Sequence, residues 1–485
     1  MKTCEVFKGV KIRKIYGELP EEISSVTDNS EKALNGGLFF VRKGNNYDGA
    51  DYIRRASERG ATVAVGETFK EGAKCFVEID DIGESTVAIL NNFYGSPQKK
   101  MKIVGVVGTN GKTSVCHILS EILSFCGIKT GVIGTIGVYY GGGKSELSLT
   151  TPGICELYEI FSKMRSAGVK AVAMEVSAHA IEQKRVKGIY FDALVFTNCT
   201  EDHLDYFKTI ENYSAVKRSI FKPENAEYMI VNADDKLGQT IMNQNGIGVL
   251  SYGIYEPSDS FAIIRNEGLD GTEYIVNVLD YIAEVKSNLI GEYNVYNSLA
   301  SLTVSAVLGV NLESAVTALE RVKAVDGRAE KITEINGAFV YLDYAHTPDG
   351  LLKTLTSLKK LCRGKLVSLF GCGGNREKEK RKKMGEISAK YADFTVITDD
   401  NPRFENPEEI RKEIENGVKE VGGKYITVSD RRLAIKTALK ILCEEDILLV
   451  AGKGAEKYQE INGERREFSD RNEILKAKSE IEGKN

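Results

Sequence analysis

The run GVVGTNGKTS, residues 105–114, has the residue types and spacing of a phosphate-binding loop. An apolar run precedes it and an amphipathic stretch follows, so a strand should lead into the loop and a helix should leave it. Glycines let the backbone approach phosphate oxygens, the helix N-terminus supplies amide hydrogens, and Lys112 supplies positive charge. Val106 stands where the strict pattern has Gly, and the alternative is a plain glycine-rich turn. The predicted nucleotide contacts are Gly108, Thr109, Asn110, Gly111, Lys112, Thr113 and Ser114.

Side chains that could hold a magnesium ion follow along the chain. Thr113 can offer its hydroxyl, and Glu175 ends the apolar run AVAMEVS, where its carboxylate could bind the ion. His203 stands near Asp202 and Asp205 and is either a metal ligand or a structural histidine. Lys217, in YSAVKRSIF, has the local pattern of an ordinary lysine on a helix surface.

Other polar residues could contact a nucleotide. VNADD presents Asn232 and Asp235 at the end of an apolar run, where they could reach a base or ribose. DYAH ends another run with Asp343 and His346, and Arg328 stands where a cation could reach a γ-phosphate. The alternative at these strand ends is turn formation, which Asp and Asn also favour.

The elements that must position these residues alternate along the chain. Apolar runs rich in β-branched residues predict strands at 102–109, 171–177, 193–198, 228–234, 339–345, 365–371, 394–400 and 446–452. Amphipathic stretches at 114–127 and 408–423 predict helices. This alternation predicts an α/β fold of parallel sheets covered on both faces, with ligands beyond the strand carboxyl ends.

Length and composition predict three domains of a cytoplasmic protein. The 485 residues exceed one core, and breaks in the pattern place domains at 1–98, 99–330 and 331–485. The net charge of −4 gives no general footprint for nucleic acid. Nine cysteines without metal spacing, no signal core and no long apolar run predict reduced thiols and no membrane insertion. The charge run REKEKRKK at 376–383 predicts a loop or solvated surface, apart from Arg376.

Taken in order, these motifs resemble the Mur ligase family, and within it the MurE type. The resemblance covers essentially the whole chain through GGLFFVRKG, GTNGKT, TTP, MEVSAHA, DHLDYF, YSAVK, NADD, IGEYNVYN, GRAE, DYAHTPDG, GCGGNRE, DDNPR and GKGAEKYQ. It implies a smaller N-terminal α/β domain for a UDP group, a central P-loop ATPase-like parallel-sheet domain, and a C-terminal Rossmann-like domain. It implies an ATP-dependent, ADP-forming ligase that joins an amino acid to UDP-N-acetylmuramoyl-L-alanyl-D-glutamate. That reaction serves peptidoglycan synthesis, cell wall biogenesis, cell shape and cell division.

The resemblance also implies roles for single residues. Ser30 matches a uridine-binding serine, and Glu175 and His203 match magnesium ligands. Lys217 matches a lysine that is carbamylated and binds a second magnesium ion, which revises its interpretation as a surface residue. The implied catalytic residues are Lys112, Lys217 and Arg328, acting while ATP converts the D-glutamate γ-carboxylate to an acyl phosphate. The implied contacts of the muramoyl peptide are Thr150, Thr151, Ser177, Gln183 and Arg185.

The run DDNPR, residues 399–403, implies that meso-diaminopimelate is the amino acid added. In relatives that use it, the arginine of this run meets the distal carboxylate, and lysine-adding relatives commonly lack that arginine. A guanidinium pairs bidentately with a carboxylate, whereas lysine would leave Arg403 unpaired. The other implied contacts are Arg376, Asp400, Asn401, Gly452 and Glu456. The expected protein is a monomer.

Three departures from the family pattern keep alternatives open. GKGHE reads GKGAE with Ala455, GCGGDRD reads GCGGNRE, and DSR reads Asn29-Ser30-Glu31. The first two touch the amino-acid site, so the same reaction with L-lysine or another diamino acid stays open. A P-loop protein that only binds nucleotide, as a regulatory or scaffold module, is the alternative from another class. ATP turnover that depends on a UDP-muramoyl peptide would exclude that module.

Overall fold

The computed structural model describes residues 1–44, 48–245 and 248–483. The chain forms two compact units: Met1–Val106, Gly127–Leu194 and Ser219–Tyr228 make up the first, and Val107–Cys126, Val195–Arg218 and Met229–Asn485 the second. Both mix helices with strands, which confirms the α/β class. The three-domain boundaries at 98/99 and 330/331 remain a prediction.

The first unit begins with a mostly parallel sheet. Its strands are β1 (Ile12–Tyr16), β2 (Val26–Thr27), β3 (Gly37–Phe40), β4 (Ala61–Gly66) and β5 (Cys75–Ile79), and the helices around it are α1 (Thr3–Val6), α2 (Ile53–Glu58) and α3 (Ile82–Tyr94). The strand order is β1-β5-β4-β3-β2, with β1 antiparallel to β5 and the other neighbours parallel. Asp81 caps α3 by accepting from Glu84 N at 2.7 Å, and Ile89 and Leu90 of that helix enter the core.

The middle of the chain follows the predicted alternation. Its strands are β6 (Lys102–Val107), β7 (Thr130–Gly134), β8 (Gly137–Tyr140), β9 (Gly143–Ser145), β10 (Ala171–Glu175), β11 (Phe191–Phe196), β12 (Ala226–Asn232), β13 (Val249–Gly253), β14 (Ser260–Gly268), β15 (Gly271–Val278) and β16 (Tyr281–Ser287). Its helices are α4 (Lys112–Phe125), α5 (Ile154–Ser166), α6 (Ala178–Glu182), α7 (Leu204–Phe207), α8 (Ile210–Arg218), α9 (Lys236–Asn245), α10 (Glu292–Val307) and α11 (Leu312–Arg321). The strands and helix predicted between 102 and 234 are confirmed, with small displacements of their ends.

Parallel pairing dominates in this part as well. In the first unit β10 lies between β6 and β7 with parallel pairing, and β8 and β9 continue from β7 in antiparallel pairs. In the second unit β12, β13 and β14 pair in parallel, and β14, β15 and β16 pair antiparallel. These last hairpins were not predicted, although polar and apolar residues alternate along 271–278 as in a half-buried strand.

The C-terminal part of the second unit is a three-layer α/β arrangement. Its strands are β17 (Glu330–Ile335), β18 (Ala338–Asp343), β19 (Leu366–Phe370), β20 (Phe394–Ile397), β21 (Tyr425–Thr427), β22 (Ile447–Ala451), β23 (Tyr458–Ile461) and β24 (Glu464–Glu467). Its helices are α12 (Pro348–Leu361), α13 (Glu379–Tyr391), α14 (Pro407–Glu420), α15 (Arg431–Lys440) and α16 (Asp470–Ile481). The sheet order is β17-β18-β22-β19-β20-β21, with β17 antiparallel and the rest parallel. Helices α12, α13 and α14 cover one face, and α15 and α16 cover the other.

This sheet positions the candidate site. The carboxyl ends of its parallel strands meet at one edge, where polar loops follow β18, β19, β20 and β22. The predicted strands at 339–345, 365–371, 394–400 and 446–452 and the helix at 408–423 are confirmed. No helix within the described residues is long and apolar enough to cross a membrane.

The prediction that residues 376–383 form a loop or solvated surface is wrong in part. Its second half begins α13, and Lys380 and Arg381 are buried there. Arg381 is enclosed because two carboxylates reach it, from Glu405 at 3.0 Å and from Glu413 at 2.9 Å. A lysine and arginine run does not reveal such partners, which lie more than twenty residues away in the sequence.

Candidate active site

The phosphate loop joins β6 to α4, as predicted, and the second unit holds its backbone in place. Thr109 N donates to Asn198 O at 2.9 Å, and Asn110 N donates to Asn198 Oδ1 at 3.0 Å. Gly111 has a φ of +86°, and a Cβ there would lie 2.6 Å from Asn297 Oδ1, so this position requires glycine. Contacts with Asn198 and Asn297 therefore fix the conformation of the loop.

Two cations stand at this loop. Lys112 Nζ donates to Gly108 O at 2.8 Å and to Thr109 O at 2.9 Å. Arg328 Nη2 donates to Thr113 Oγ1, also at 2.9 Å. The structure thus brings together Lys112 and Arg328, the two residues expected to neutralise a transferred phosphoryl group.

The end of β18 places Arg328. Asp343 accepts hydrogen bonds from Ala329 N at 2.6 Å and from Ala345 N at 2.7 Å. Burial raises the pKa of Asp343, and the Arg328 charge opposes that shift. The Arg328 guanidinium lies 4.5 Å from the centroid of the Tyr344 ring. Asp343 therefore fixes the turn that carries Arg328, which fits the turn-forming alternative for Asp at a strand end.

A cavity of about 360 Å³ lies beside the loop, and most of the predicted nucleotide residues line it. These are Asn110, Gly111, Ser114, Asn232, Asp235, Arg328, Asp343 and His346. Its volume is in the range of sites for small molecules. Burial and then the Lys380 charge lower the pKa of His346 to about 4, so its imidazole is neutral. Because Nδ1 donates to Tyr344 O at 2.9 Å, His346 Nε2 is an acceptor.

Helix α10 adds a polar face to the cavity that the sequence analysis missed. Glu292, Tyr293, Tyr296 and Asn297 all line the cavity, and their spacing puts them on one side of the helix. The Tyr296 hydroxyl donates to Asp234 Oδ2 at 2.5 Å. The motif IGEYNVYN contains these residues, and polar side chains at helical spacing in a buried helix were the available signal.

Lys217 is fully buried, so its local pattern as a helix-surface lysine was misleading. Its Nζ donates to Thr109 Oγ1 at 2.6 Å and lies 3.9 Å from the centroid of the Tyr213 ring. Burial lowers the pKa of Lys217 to about 7, against 10.5 for an ordinary lysine. Periodicity along α8 could not show that the phosphate loop covers this lysine.

His203, one of the predicted metal ligands, lies beside the same tyrosine. Its ring centroid is 6.2 Å from that of Tyr213, and its Nε2 is 3.4 Å from Asp202 Oδ2. Burial lowers the pKa of His203, although the Asp202 charge opposes this, and a neutral imidazole can bind a metal. Across the described ranges, no group of three or more His, Cys, Asp and Glu side chains is arranged to hold an ion. Of the His203 and Asp202 side chains, Asp202 offers the oxygen atoms that magnesium prefers, and phosphate and water would supply its other ligands.

The predicted muramoyl-peptide residues form one network in the first unit. Thr151 Oγ1 donates to Glu175 O at 2.9 Å and accepts from Ser177 N at 3.0 Å. Arg185 donates to Thr151 O at 2.9 Å and to Gln183 Oε1 at 2.6 Å. Four residues at or after the end of β10 thus surround Thr151: Glu175, Ser177, Gln183 and Arg185.

Thr135, Thr150 and Arg42 also join this network. Thr135 N donates to Glu175 Oε1 at 2.8 Å, and Thr135 Oγ1 lies 3.2 Å from Thr150 Oγ1. Ser30 is buried two residues after Asp28, in the N-terminal part of the same unit. Arg42, which was not predicted, pairs with Asp28 at 3.3 Å and donates to Gln183 O at 3.4 Å. Arg42 therefore links the Ser30 segment to the residues predicted to bind the muramoyl peptide.

The second unit gathers the predicted amino-acid residues at the carboxyl ends of β19, β20 and β22. Asp400 and Asn401 are buried after β20, whereas Arg376 is exposed after β19. Gly452 follows β22 with a φ of +110°, and a Cβ there would lie 2.7 Å from Asp400 Oδ2. Asn401 Nδ2 donates to Glu456 Oε2 at 3.0 Å. The structure therefore brings Asp400, Asn401, Gly452 and Glu456 together.

Lys453 is the centre of this group and was not predicted. It is fully buried, and its Nζ donates to Asn401 Oδ1 at 2.8 Å. The same nitrogen lies 3.5 Å from Asp400 Oδ1 and 3.4 Å from Glu456 Oε2. Burial raises the pKa of Glu456; at Asp400 burial acts in the same direction, but the Lys453 and Arg431 charges hold its pKa below the usual value. Lys453 therefore compensates two carboxylates of the pocket.

A buried ion pair supports the pocket from the opposite side of the sheet. Arg431 of α15 and Asp470 of α16 are fully buried, and two Arg431 nitrogens lie 2.7 Å from the Asp470 carboxylate oxygens. Arg431 Nη2 also donates to Ala451 O at 2.8 Å, directly before Gly452. The pair thus links the last helix to the strand end that carries the pocket.

Arg403 already has partners within the protein. Its Nη1 donates to Gly374 O at 2.8 Å, and its Nε lies 3.6 Å from Glu460 Oε2. Arg403 N donates to Glu460 O at 3.0 Å, and Asn462 N donates to Arg403 O at 2.7 Å. The expectation that this guanidinium stays unpaired without a substrate carboxylate is therefore wrong. The cause is the hairpin of β23 and β24, which the sequence analysis did not predict.

Replacing Arg381 by methionine should lower the free energy of unfolding by about 3 kcal/mol, because it leaves Glu405 without its buried cation. Arg381 also donates to Gly373 O at 3.4 Å, so the loop after β19 should loosen. Chemical denaturation measures the change. Lys382→Met is the matched control, since that half-exposed side chain should contribute far less to the free energy of unfolding. Equal effects of the two substitutions would contradict this account of Arg381.

Residues at the three departures from the family pattern each have a local contact, although Glu31 and Asn375 are exposed. Asn375 has a φ of +52°, which Asn tolerates well, and its Oδ1 accepts from Phe404 N at 3.0 Å. Glu31 forms an ion pair with Arg59 at 2.5 Å. The backbone N of Ala455 would lie 2.3 Å from a Cβ on Gly327, so these two loops pack main chain against main chain.

Comparison with known proteins gives a consistent result along the chain. A family model described as the Mur ligase middle domain matches residues 106–305, and one described as the Mur ligase, glutamate ligase domain matches residues 327–454. The chain is 41% identical over 479 residues to UDP-N-acetylmuramoyl-L-alanyl-D-glutamate--2,6-diaminopimelate ligase 1 of Clostridium acetobutylicum, covering 98% of each chain. It is 38% identical over 478 residues to the 2,6-diaminopimelate ligase of Caldanaerobacter subterraneus, again covering 98% of each.

Solved structures agree with this assignment. The structure of a UDP-N-acetylmuramoyl-L-alanyl-D-glutamate--2,6-diaminopimelate ligase matches with a TM-score of 0.70 at 27% identity, covering 99% of both chains. The MurF ligase of Thermotoga maritima in complex with ADP matches in fold, with a TM-score of 0.63 at 19% identity over 95% of this chain and 98% of that one. Identity above 40% over nearly the full length, two family models in the expected order and a full-length structural match lead to one conclusion: the chain belongs to the Mur ligase family.

Proposed function

We propose that this chain is the ATP-dependent ligase that adds meso-2,6-diaminopimelate to UDP-N-acetylmuramoyl-L-alanyl-D-glutamate in peptidoglycan precursor synthesis. The observation that carries the proposal lies in the second unit. There, a phosphate loop with Lys112 and Arg328 accompanies a pocket in which Asp400, Glu456 and Arg403 offer both signs of charge. The names of the relatives with 41% and 38% identity support the same reaction. Because the chain belongs to a ligase family, the alternative hypothesis of a regulatory or scaffold module that only binds nucleotide is not retained.

The chemistry follows from the residues at the phosphate loop. A carboxylate is a poor acyl donor, so ATP first converts the D-glutamate γ-carboxylate to an acyl phosphate and leaves as ADP. Lys112 and Arg328 stabilise the charge of the transferred phosphoryl group. The amine of the incoming amino acid then attacks, and phosphate leaves as the amide forms.

Magnesium and the carbamate of Lys217 are part of this proposal. Thr113, Glu175 and His203 are the proposed magnesium ligands, and carbamylated Lys217 is the proposed ligand of a second magnesium ion. The ions would supply positive charge to the phosphate oxygens. Support comes from the buried Lys217 amine with its pKa of about 7, because only the neutral amine reacts with carbon dioxide. The carbamate turns this position from a cation into an oxygen ligand.

The remaining predicted residues bind the peptide substrate, the uridine and the nucleotide. The network around Thr151 binds the muramoyl peptide, and Ser30 binds the uridine. Asn232, Asp235 and His346 contact the nucleotide in the cavity. We further propose a cytoplasmic monomer with domains at 1–98, 99–330 and 331–485, which acts in cell wall biogenesis, cell shape and cell division.

The deciding experiment assays ligation with meso-diaminopimelate and L-lysine side by side, with ATP and the UDP-muramoyl dipeptide. We expect a large preference for diaminopimelate. The second candidate is the same reaction with L-lysine. The Arg403–Glu460 ion pair favours this candidate, because Arg403 keeps a partner when the substrate has no distal carboxylate. Equal use of both amino acids would contradict diaminopimelate as the specific substrate.

Arg403→Ala should raise the KM for diaminopimelate by roughly two orders of magnitude, because a charged pair in the pocket is lost. The KM for ATP should change far less. Steady-state kinetics with each substrate varied in turn measures both constants. Arg466→Ala, an exposed arginine on β24, is the matched control and should leave both unchanged. An Arg403→Ala enzyme that kept its preference for diaminopimelate would exclude this role.

A further inference from the structure

The Arg403 guanidinium and the Glu460 carboxylate form an ion pair at the amino-acid pocket. Arg403 Nε lies 3.6 Å from Glu460 Oε2, and their side chains are only 21% and 18% exposed. Lys453 compensates Asp400 and Glu456 at 3.5 and 3.4 Å, so among the described residues Glu460 is the carboxylate that pairs with Arg403. An incoming carboxylate must therefore compete with one that the protein already provides.

The main chain makes this pairing a built feature. Arg403 N donates to Glu460 O at 3.0 Å, and Glu460 N donates to Asn401 Oδ1 at 3.0 Å. Glu460 is thus fixed to two residues of the DDNPR run, and its side chain extends from β23 beside Arg403. The Arg403 Nη1 bond to Gly374 O fixes the other end of the guanidinium.

We propose that Glu460 is a specificity-determining residue that acts through Arg403 as a stand-in for the distal carboxylate of the substrate. This inference rests on the proposed function. When diaminopimelate binds, its distal carboxylate displaces Glu460 from Arg403, and the lost pair weakens binding. When lysine binds, the Arg403–Glu460 pair persists, so lysine avoids the penalty of an unpaired cation. Glu460 therefore reduces the factor by which the enzyme prefers diaminopimelate over lysine.

Glu460→Gln should lower the KM for diaminopimelate by about two- to five-fold, the range expected for a partly exposed ion pair. The KM for lysine should not fall, and kcat with diaminopimelate should stay the same. Where lysine turnover is too slow to measure, its inhibition constant against diaminopimelate ligation gives the same comparison. Glu464→Gln on the other strand of the hairpin removes an equal charge away from Arg403 and should change neither constant.

A double variant separates action through Arg403 from direct contact with the substrate. In the Arg403→Ala background, Glu460→Gln should have no effect on the KM for diaminopimelate. A remaining effect would mean that Glu460 touches the substrate ammonium itself, which overturns the inference. An unchanged or higher KM in the single variant, or an equal fall for lysine, also overturns it. If the unaltered protein does not use diaminopimelate, the proposed function fails first, and the inference fails with it.

Discussion

Replacing Lys112 with alanine should reduce kcat for ligation by at least about a hundred-fold, the loss typical of a group that stabilises transition-state charge. Lys112 lies at the start of α4, where its Nζ folds over the loop between Gly108 O and Thr109 O. An ATP phosphate entering the loop would exchange those carbonyl contacts for its own charged oxygens. The deficit should persist at saturating ATP, because the lysine acts on the transferred group.

The control for Lys112→Ala must separate catalysis from folding. Lys412 on α14 is an exposed helix lysine paired with Glu408, and Lys412→Ala should leave kcat unchanged. Thermal unfolding should show that both variants fold. Near-normal turnover of Lys112→Ala at saturating ATP would exclude this loop as the site of phosphoryl transfer.

Lys217→Ala should be inactive, and short carboxylic acids such as acetate should partly restore activity. The substitution opens space at a fully buried position beside Thr109, where a small carboxylate can replace the carbamate oxygens. Lys217→Arg keeps the positive charge but cannot be carbamylated, so it should be inactive in both conditions. Rescue by methylamine in place of acetate would indicate that the cation is the active form.

The carbamate also predicts a dependence on pH and carbon dioxide. Burial lowers the pKa of Lys217 from 10.5 to about 7, so the neutral amine becomes dominant as the pH rises through that value. At pH 8 roughly nine-tenths of such a group is neutral, against a few thousandths of an ordinary lysine. Activity in carbon-dioxide-free buffer should fall and return with bicarbonate. The bicarbonate needed should decrease between pH 6.5 and pH 8.

Elements that have a pattern within their own stretch of sequence could be predicted. The strand at 102–109, the loop after it and the helix at 114–127 are all present, because an apolar run, glycines and an amphipathic helix each leave a local pattern. The family resemblance supplied Asp400 and Asn401, and both are buried directly after a parallel strand, at the sheet edge where ligands bind. The family resemblance supplied Lys217, whose local pattern indicated a surface residue.

Residues that depend on distant partners were missed. Lys453 is buried because Asp400, Asn401 and Glu456 meet it, and two of these lie more than fifty residues away. Arg42 binds Gln183 across 141 positions of sequence, and Glu460 meets Arg403 only through an unpredicted hairpin. In each case, the partner is set by chain topology, which neither composition nor spacing expresses.

The buried pair of Arg431 and Asp470 couples two residues that are 39 positions apart in the sequence. Losing either one leaves an uncompensated charge in the protein interior beneath Gly452. A single substitution at either position should therefore destabilise the protein more than replacement of both residues by a well-packed apolar pair. Lys476 is exposed on the same last helix, so its replacement should change stability far less. The last helix thus supports the strand end before Gly452 through one buried side chain, although it contributes none of the predicted amino-acid contacts.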